Sequence, residues 1–148
     1  MNIFFKILLF LFLIFKFSYS FSEETKIKIG ILAPLSGENA SLGKQIINSI
    51  RMALIDINDN KIEIYPRDTK SDPAIALRSA LELEKMGISL VIGPVFYKNL
   101  AYLNEVKNIT FLSLTNKTLD LPENIISSGI NSTSQLKTIK KFLELTEI

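Results

Sequence analysis

The sequence contains no histidine, no cysteine and no tryptophan among its 148 residues. Without histidine and cysteine, the chain cannot form a zinc finger, a thiolate metal site, a disulfide, a cysteine nucleophile or a histidine-based triad. Histidine is also the side chain that ordinarily titrates near neutral pH, so most acid–base catalysis loses its usual group. We therefore expect a protein that is not an enzyme and that holds no metal and no cofactor.

The charge balance argues against a protein that binds nucleic acid. The chain has 17 Lys and Arg against 15 Asp and Glu, a formal net charge of +2. A protein that binds nucleic acid would show a clustered basic excess, so we expect no nucleic-acid partner. Apolar residues make up 47% of the chain and charged residues 22%, which is typical of a globular protein. The length fits one ordinary domain.

The longest apolar run lies at the amino terminus. Lys6 precedes nine consecutive apolar residues, and serines at alternate positions follow them. A positive start, a short apolar run and a small-x-small site are the pattern of a secretory signal peptide, here cleaved after Ser20 or Ser22. We expect residues 1–22 to be this signal peptide and residues 23–148 to reach the periplasm. An uncleaved anchor is the alternative, although the run is short for a membrane span.

The rest of the chain alternates strand and helix patterns. Alternating or continuous apolar residues predict strands over 26–33, 61–65, 88–92, 110–114 and 125–130. Apolar residues three and four apart predict helices over 40–59, 72–86, 96–107 and from residue 132 onward. Strands that alternate with helices predict an α/β fold, a doubly wound parallel sheet with helices on both faces.

Local signals predict where the helices begin and end. Asp72-Pro73 is an N-cap followed by a proline in the first turn, and Gly87 stands where a C-terminal cap is expected. Ser132 and Gln135 have the spacing of a capping box at the start of the last helix. The apolar residues expected to face the core in the last two helices are Leu100, Leu103, Val106, Leu136, Ile139 and Leu143.

Two segments resemble known binding loops but lack required residues. The segment from Gly37 to Lys44 differs from a phosphate-binding loop because five residues rather than four separate its glycines, and Gln45 follows the lysine. Residues 56–61 differ from a calcium loop because Lys61 stands where glycine is required. We therefore expect a turn followed by a helix in the first case, and a helix end in the second.

In a doubly wound sheet, ligands bind outside the carboxyl ends of the strands. Asp68 and Asp72 both follow the second predicted strand and could be taken for a catalytic pair of carboxylates. Asp72 is expected to cap a helix. Asp68 ends a strand, so we expect it to orient the loop through backbone hydrogen bonds. Neither is expected to be catalytic.

Several phrases of the sequence together resemble the type I periplasmic binding proteins, which are the leucine/isoleucine/valine-binding proteins and their relatives. These phrases are residues 28–37 with Gly43 after them, Asp72-Pro73, and residues 91–94 at the end of the third strand. The resemblance covers about residues 26–145. Residues 65–69 and 92–96 look like the branch of penicillin-binding-protein activators, whose members regulate peptidoglycan synthases in the envelope.

The resemblance implies a fold of two hinged lobes with a ligand between them. Residues 23–148 match only the beginning of the first lobe, so we expect a partial N-terminal lobe. Such a chain is either a fragment or a protein whose work needs only one lobe. One lobe offers about half of the contacts that closure gives a ligand. Its inter-lobe face would also be a sizeable apolar patch, hence a surface for a partner or a cause of aggregation.

The resemblance also implies which residues lie near a ligand. In amino-acid-binding members, hydroxyls and backbone N–H groups after the third and fourth strands hold the ligand carboxylate. Here residues 94–97 contain no Ser or Thr, whereas Thr115 remains after the fourth strand. The candidate ligand-binding residues are Ser36, Gly37, Asp68, Thr69, Gly93, Phe96 and Thr115.

Two functions follow from the resemblance. The first is a non-enzymatic regulator of peptidoglycan synthesis of the activator type, whose partner is a peptidoglycan synthase of the envelope. The second is the substrate-binding component of an ABC transporter for branched-chain or other amino acids, whose partners are a small-molecule solute and an ABC permease. The incomplete set of hydroxyls after the third strand favours the first.

Overall fold

The computed structural model describes residue 3 and residues 25–145. The predicted signal peptide over residues 1–22, with its cleavage after Ser20 or Ser22, lies outside the described residues, residue 3 apart. Within the part of the chain that the structure describes, no helix combines the length and the apolar character needed to cross a bilayer.

Strands and helices alternate along residues 27–145, and two 3₁₀ turns replace one of the helices. The elements are β1 (Ile27–Ala33), α1 (Ala40–Ile57), β2 (Ile62–Asp68), α2 (Pro73–Lys85), β3 (Leu90–Ile92), the 3₁₀ turns Tyr97–Leu100 and Leu103–Glu105, β4 (Thr110–Ser113), β5 (Ile125–Ser127) and α3 (Ser132–Leu145). The five strands form one sheet in the order β2-β1-β3-β4-β5, and every pair is parallel. The predicted α/β fold with a doubly wound parallel sheet is confirmed.

One face of the sheet is covered across most of its width. Val91, Phe111 and Ile125 lie side by side on β3, β4 and β5, and they are 0%, 0% and 6% exposed. Helix α2 and the two 3₁₀ turns pack over this face and form the larger core cluster with it. Burying one such apolar side chain contributes about 1.5–3 kcal/mol.

Within residues 25–145, the opposite face is covered at one end only. Ile31, Ile92, Leu112 and Ile126 also lie side by side, one residue further along β1, β3, β4 and β5. Ile31 is buried beneath Ile47 of α1, Ile92 and Leu112 are half-buried, and Ile126 is 54% exposed. We call Ile92, Leu112 and Ile126 the open sheet face. Burial falls along this row with distance from α1.

Helix α2 begins and ends as the sequence predicts. The Asp72 side chain accepts a hydrogen bond from the Ile75 N–H, and Pro73 occupies the first turn. At the other end Gly87 has φ +74°, and its N–H donates to the Glu84 carbonyl. The Ile88 N–H donates to the Leu83 carbonyl, which completes a Schellman cap. These caps confirm the predicted bounds of the helix.

The predicted helix over residues 96–107 is wrong. The segment forms two 3₁₀ turns instead, yet Leu100, Leu103 and Val106 are buried as expected. Ile109 extends the same series and is 1% exposed. A spacing of three throughout matches the three residues per turn of a 3₁₀ helix, whereas an α-helical stripe mixes spacings of three and four.

Two predictions for α3 are also wrong. Leu136, Ile139 and Leu143 were expected to face the core, but they are 66%, 55% and 40% exposed, and no described residue of α3 is buried. The N-cap is not Ser132. The Asn131 Oδ1 accepts from the Ser134 N–H at 2.9 Å, and the Asn131 N–H donates back to the Ser134 hydroxyl. The cap thus begins one residue earlier than the predicted box.

Candidate functional site

Parallel pairing brings the candidate residues to a single edge of the sheet. The strands end at Ala33, Asp68, Ile92, Ser113 and Ser127. Because neighbouring strands run in the same direction, the loops that follow these ends all lie at the carboxyl edge. This edge carries all of the candidate ligand-binding residues, which are Ser36, Gly37, Asp68, Thr69, Gly93, Phe96 and Thr115.

Asp68 joins the loop after β1 to the loop after β2. Its Oδ1 accepts from the N–H groups of Leu35 at 2.8 Å, Lys70 at 2.9 Å and Ser36 at 3.3 Å. Its Oδ2 accepts from the Ser36 hydroxyl. The expectation that Asp68 orients its loop through backbone hydrogen bonds is confirmed, and the bonds reach the neighbouring loop as well.

The hydrogen bonds around Asp68 favour its charged form. Partial burial raises the pKa of the carboxyl, but the bonds from the Ser36 hydroxyl and from three backbone N–H groups outweigh it. The pKa of Asp68 therefore lies below its ordinary value of 3.8. A carboxylate in this state is an acceptor that holds loops in place, not a proton donor near neutral pH.

Thr69 is completely buried beneath the same loops. Its N–H donates to the Ala33 carbonyl at 2.9 Å, and its Oγ1 accepts from the Ser71 N–H. The Asn39 side chain then donates to the Ser71 hydroxyl across the two loops. The structure thus brings Ser36, Asp68 and Thr69 together as parts of one network.

Two glycines allow the backbone to pass close to neighbouring elements at this edge. Gly93 has φ +103°, and a Cβ built on it would lie 2.1 Å from the Leu32 carbonyl oxygen. A Cβ on Gly43, in the first turns of α1, would lie 2.0 Å from the Pro34 carbonyl oxygen. The absence of a side chain at Gly93 therefore allows β1 and β3 to approach closely. Its absence at Gly43 allows α1 to pack against the end of β1.

Thr115 belongs to a second network, after β4 and β5. Its Oγ1 accepts from the Lys117 N–H, and its carbonyl accepts from the Ser127 hydroxyl at 2.7 Å and from the Gly129 N–H at 3.1 Å. Ser113 is also buried, and its hydroxyl donates to the Pro94 carbonyl at 2.9 Å. These bonds fix the loops after β3, β4 and β5 to one another.

The candidate residues differ in how far solvent reaches them. Gly37 is exposed, Ser36, Asp68 and Phe96 are half-buried, and the other three are buried, namely Thr69, Gly93 and Thr115. The Ser36 hydroxyl and N–H both bond to Asp68. Most hydroxyls at the edge are thus already used within the loops.

Sequence reasoning misses Ser113 and Lys117 as residues of this edge. The position of Ser113 near the carboxyl end of a predicted strand is the signal that could have found it. Lys117 lies on a different loop from Tyr97, so the sequence gives no sign that the two side chains are in contact. The Lys117 Nζ lies 3.8 Å from the centre of the Tyr97 ring and donates to its hydroxyl, which connects the loops after β3 and β4.

Two grooves of different size lie beside these loops. One of about 160 Å³ lies between Tyr97–Ala101 and Asp120–Pro122. The other, of about 480 Å³, follows β5 and is lined by Ile130, Ser134, Gln135, Thr138 and Ile139. Pockets for small ligands usually measure about 300–1,000 Å³, so only the second has the volume for such a ligand, and none of the candidate ligand-binding residues lines it. In residues 25–145, no three Asp or Glu side chains cluster in a way that could hold a metal ion.

Comparison with known proteins shows the family. The family model described as periplasmic binding protein matches residues 26–140. The chain belongs to this family. The resemblance to type I members, drawn from the sequence alone, is confirmed. The family and the similar structures are binding proteins or regulators.

Individual relatives are longer than this chain. The uncharacterized protein MJ1266 of Methanocaldococcus jannaschii is 33% identical over 103 residues, which are 64% of this chain and 23% of that protein. The C-domain of LpoA from Haemophilus influenzae, described as a regulator of PBP1A, superposes with a TM-score of 0.67 at 20% identity, over 82% of this chain and 38% of that one. The leucine binding protein LivK of Thermotoga maritima superposes with a TM-score of 0.65 at 16% identity, over 79% and 36%. At these identities the structures show a shared fold.

Proposed function

We propose that this chain is a non-enzymatic module of the bacterial envelope that regulates peptidoglycan synthesis by contacting a peptidoglycan synthase. It would act in the manner of the penicillin-binding-protein activators. The observation that carries the proposal is how polar and apolar groups are distributed. Hydroxyls at the carboxyl edge are bonded within the loops, whereas the open sheet face is apolar and partly exposed.

The carboxyl edge supports the proposal because it has little to offer a small ligand. A solute carboxylate needs hydroxyl or N–H donors that are not already engaged. The Ser36 donors bond to Asp68, and Thr69 and Thr115 are buried. The loop after β3 supplies Phe96 and Tyr97 in place of hydroxyls. Capture of an amino acid by this edge alone would therefore require the loops to rearrange.

The open sheet face gives a second line of support for the proposal. Contiguous apolar residues on a protein surface mark sites of contact with other proteins. Ile126 is 54% exposed in the middle of β5, and Leu90, beside Ile92 on the same side of β3, is 39% exposed. The similarity to LpoA, a regulator of PBP1A, is the reason to choose a peptidoglycan synthase as the partner.

The same proposal assigns the chain's compartment and its organisation. Residues 1–22 would be the signal peptide, and residues 23–148 would form a partial N-terminal lobe in the periplasm. Family membership over residues 26–140 supports this location, since the family is named for that compartment. Mass spectrometry of the chain recovered from a bacterial periplasmic fraction gives the mature amino terminus directly. We expect it at residue 21 or residue 23.

Two binding measurements on one sample test the proposed function. In surface plasmon resonance, the chain should bind a peptidoglycan synthase from its own organism. In titration calorimetry, a panel of the common amino acids should give no heat of binding. A micromolar amino-acid ligand without synthase binding would contradict the proposal.

The second candidate function is the substrate-binding component of an ABC transporter for branched-chain or other amino acids. The fold shared with the leucine binding protein LivK favours it, together with Thr115 after the fourth strand. In this candidate function, the residues that contact the solute would be Ser36, Gly37 and Phe96, which are accessible to solvent. A heat of binding that disappears in the variant Phe96→Ala would support this candidate.

A further inference from the structure

Asn99 is a buried amide whose side chain has no partner within the described protein. It lies in the first 3₁₀ turn, between β3 and β4, and is 1% exposed. Neither its Nδ2 nor its Oδ1 takes part in a hydrogen bond, although its backbone N–H donates to the Phe96 carbonyl at 3.0 Å. Buried amides in folded proteins are nearly always hydrogen-bonded.

The side-chain Nδ2 of another asparagine in the same region has two acceptors. The Asn124 Nδ2 donates to the carbonyls of Leu103 and Val106, both at 2.9 Å. These acceptors belong to the second 3₁₀ turn and the residue after it. The region therefore satisfies an amide where a side chain can reach backbone acceptors, and Asn99 needs a different kind of partner.

The two atoms of the Asn99 amide select the chemical class of that partner. The Nδ2 donates hydrogen bonds and the Oδ1 accepts them. A cation would serve only the Oδ1, and an anion only the Nδ2. A molecule that both donates and accepts can serve both atoms, and at such low exposure it must be small. Water meets these conditions, and buried waters commonly bridge polar groups that protein atoms leave unsatisfied.

We propose that the Asn99 amide holds an internal water molecule, which ties the first 3₁₀ turn into the core beneath the carboxyl edge. The water would donate to Oδ1 or accept from Nδ2. It would thereby fix the segment that carries Phe96 and Tyr97. This inference does not depend on whether the partner of the protein is a synthase or a solute.

Nuclear magnetic resonance of the wild-type chain tests the proposal without any substitution. A long-lived internal water gives a nuclear Overhauser effect of opposite sign to that of mobile surface water. We expect this sign between water and the Nδ2 protons of Asn99. The Nδ2 protons of Asn124, which bond to two carbonyls, are the control and should not show it. Absence of the effect at Asn99 would overturn the proposal.

The variant Asn99→Leu gives a second readout. Leucine has a similar volume but no polar atoms, so the water would lose its hydrogen bonds to the amide. We expect the unfolding equilibrium constant in urea to rise about tenfold. If the amide is bare, leucine removes two unsatisfied polar atoms and the constant falls, which would contradict the proposal.

Discussion

Single side chains hold the loops at the carboxyl edge of the sheet. Asp68 accepts four hydrogen bonds from the loops after β1 and β2, and Ser113 donates from the end of β4 to the loop after β3. Each of these residues replaces water as the partner of a backbone group. The geometry of the edge therefore depends on a few identities that can be changed one at a time.

The substitution Asp68→Asn tests the network after β1 and β2. Asparagine keeps the shape but loses the charge that strengthens the bonds from N–H groups, so we expect the unfolding free energy at pH 7 to fall by about 1–3 kcal/mol. Because the pKa of Asp68 is lowered in the folded state, the carboxylate stabilises the fold above the unfolded pKa of about 4. That contribution is lost as the pH falls through the lower, folded value.

Urea unfolding of the wild type and the variant at pH 7 and at pH 2–3 measures this difference. The gap between the two proteins should be present at pH 7 and should shrink in acid. Asp56→Asn, at an exposed position on α1, is the matched control and should change stability by less than about 0.5 kcal/mol. Equal losses from Asp56→Asn and Asp68→Asn would show that the network is not the cause.

The substitution Gly43→Ala should reverse the usual effect of alanine in a helix. Within a helix, alanine is ordinarily more stable than glycine by roughly 0.5–1 kcal/mol. At Gly43 the new Cβ would meet the Pro34 carbonyl oxygen at 2.0 Å, so we expect a loss of about 1–3 kcal/mol in thermal unfolding. Asn48→Ala, on the exposed side of the same helix, should be neutral or slightly stabilising. A stabilised Gly43→Ala variant would refute the close contact.

The range of an interaction decides how well the sequence predicts it at this scale. The caps at Asp72 and Gly87 act on backbone groups within a few residues, so their chemistry is visible in the sequence. The bonds from Leu35 and Ser36 to Asp68 span 33 and 32 residues and depend on the pairing of β1 with β2. The sequence could therefore predict that Asp68 orients a loop, but not which second loop it holds.

At the scale of elements, the sheet and two of its helices follow from apolar periodicity, whereas the last two predicted helices differ. The segment between β3 and β4 has its apolar residues at a constant spacing of three, which fits 3₁₀ turns. For α3 the apolar stripe exists in the sequence, yet Leu136 and Ile139 are exposed. An amphipathic pattern predicts a helix, but it does not state what covers the apolar side.

A prediction for α3 distinguishes Asn131, the N-cap in the structure, from Ser132, the N-cap predicted from the sequence. Asn131→Ala removes the acceptor for the Ser134 N–H, so we expect the first turn of α3 to lose about 0.5–2 kcal/mol of helix stability. Amide hydrogen exchange should be faster in α3, with little change in global unfolding, since no described residue of this helix is buried. Ser132→Ala should leave exchange nearly unchanged. A larger effect at Ser132 would restore the capping box predicted from the sequence.

Adjacent residues on β5 test the difference between the two faces of the sheet. Ile125 is 6% exposed beneath the main core, so Ile125→Lys buries an unpaired charge and should cost more than about 4 kcal/mol. Ile126 lies on the open sheet face, and Ile126→Lys should change stability by about 0.5 kcal/mol or less. Chemical denaturation of both variants measures this. Similar losses at the two positions would mean that the open sheet face is covered in solution.

For the whole molecule, we propose that the sheet contacts another protein through the face that its own helices leave partly open. The chain spans 38% of the LpoA C-domain and 36% of the leucine binding protein. Within that share, loops are bonded to loops at the carboxyl edge, and apolar residues are open on β3, β4 and β5. A partner protein can use the open sheet face directly, whereas a solute would have to displace internal hydrogen bonds.

Surface plasmon resonance of the wild type and of Ile126→Lys against a peptidoglycan synthase measures whether the open sheet face contacts this partner. We expect the wild type to bind. We expect Ile126→Lys, although folded, to lose at least about tenfold in affinity, since a charge placed in an apolar contact must be desolvated. No binding by the wild type, or equal affinities for the two proteins, would contradict the proposal.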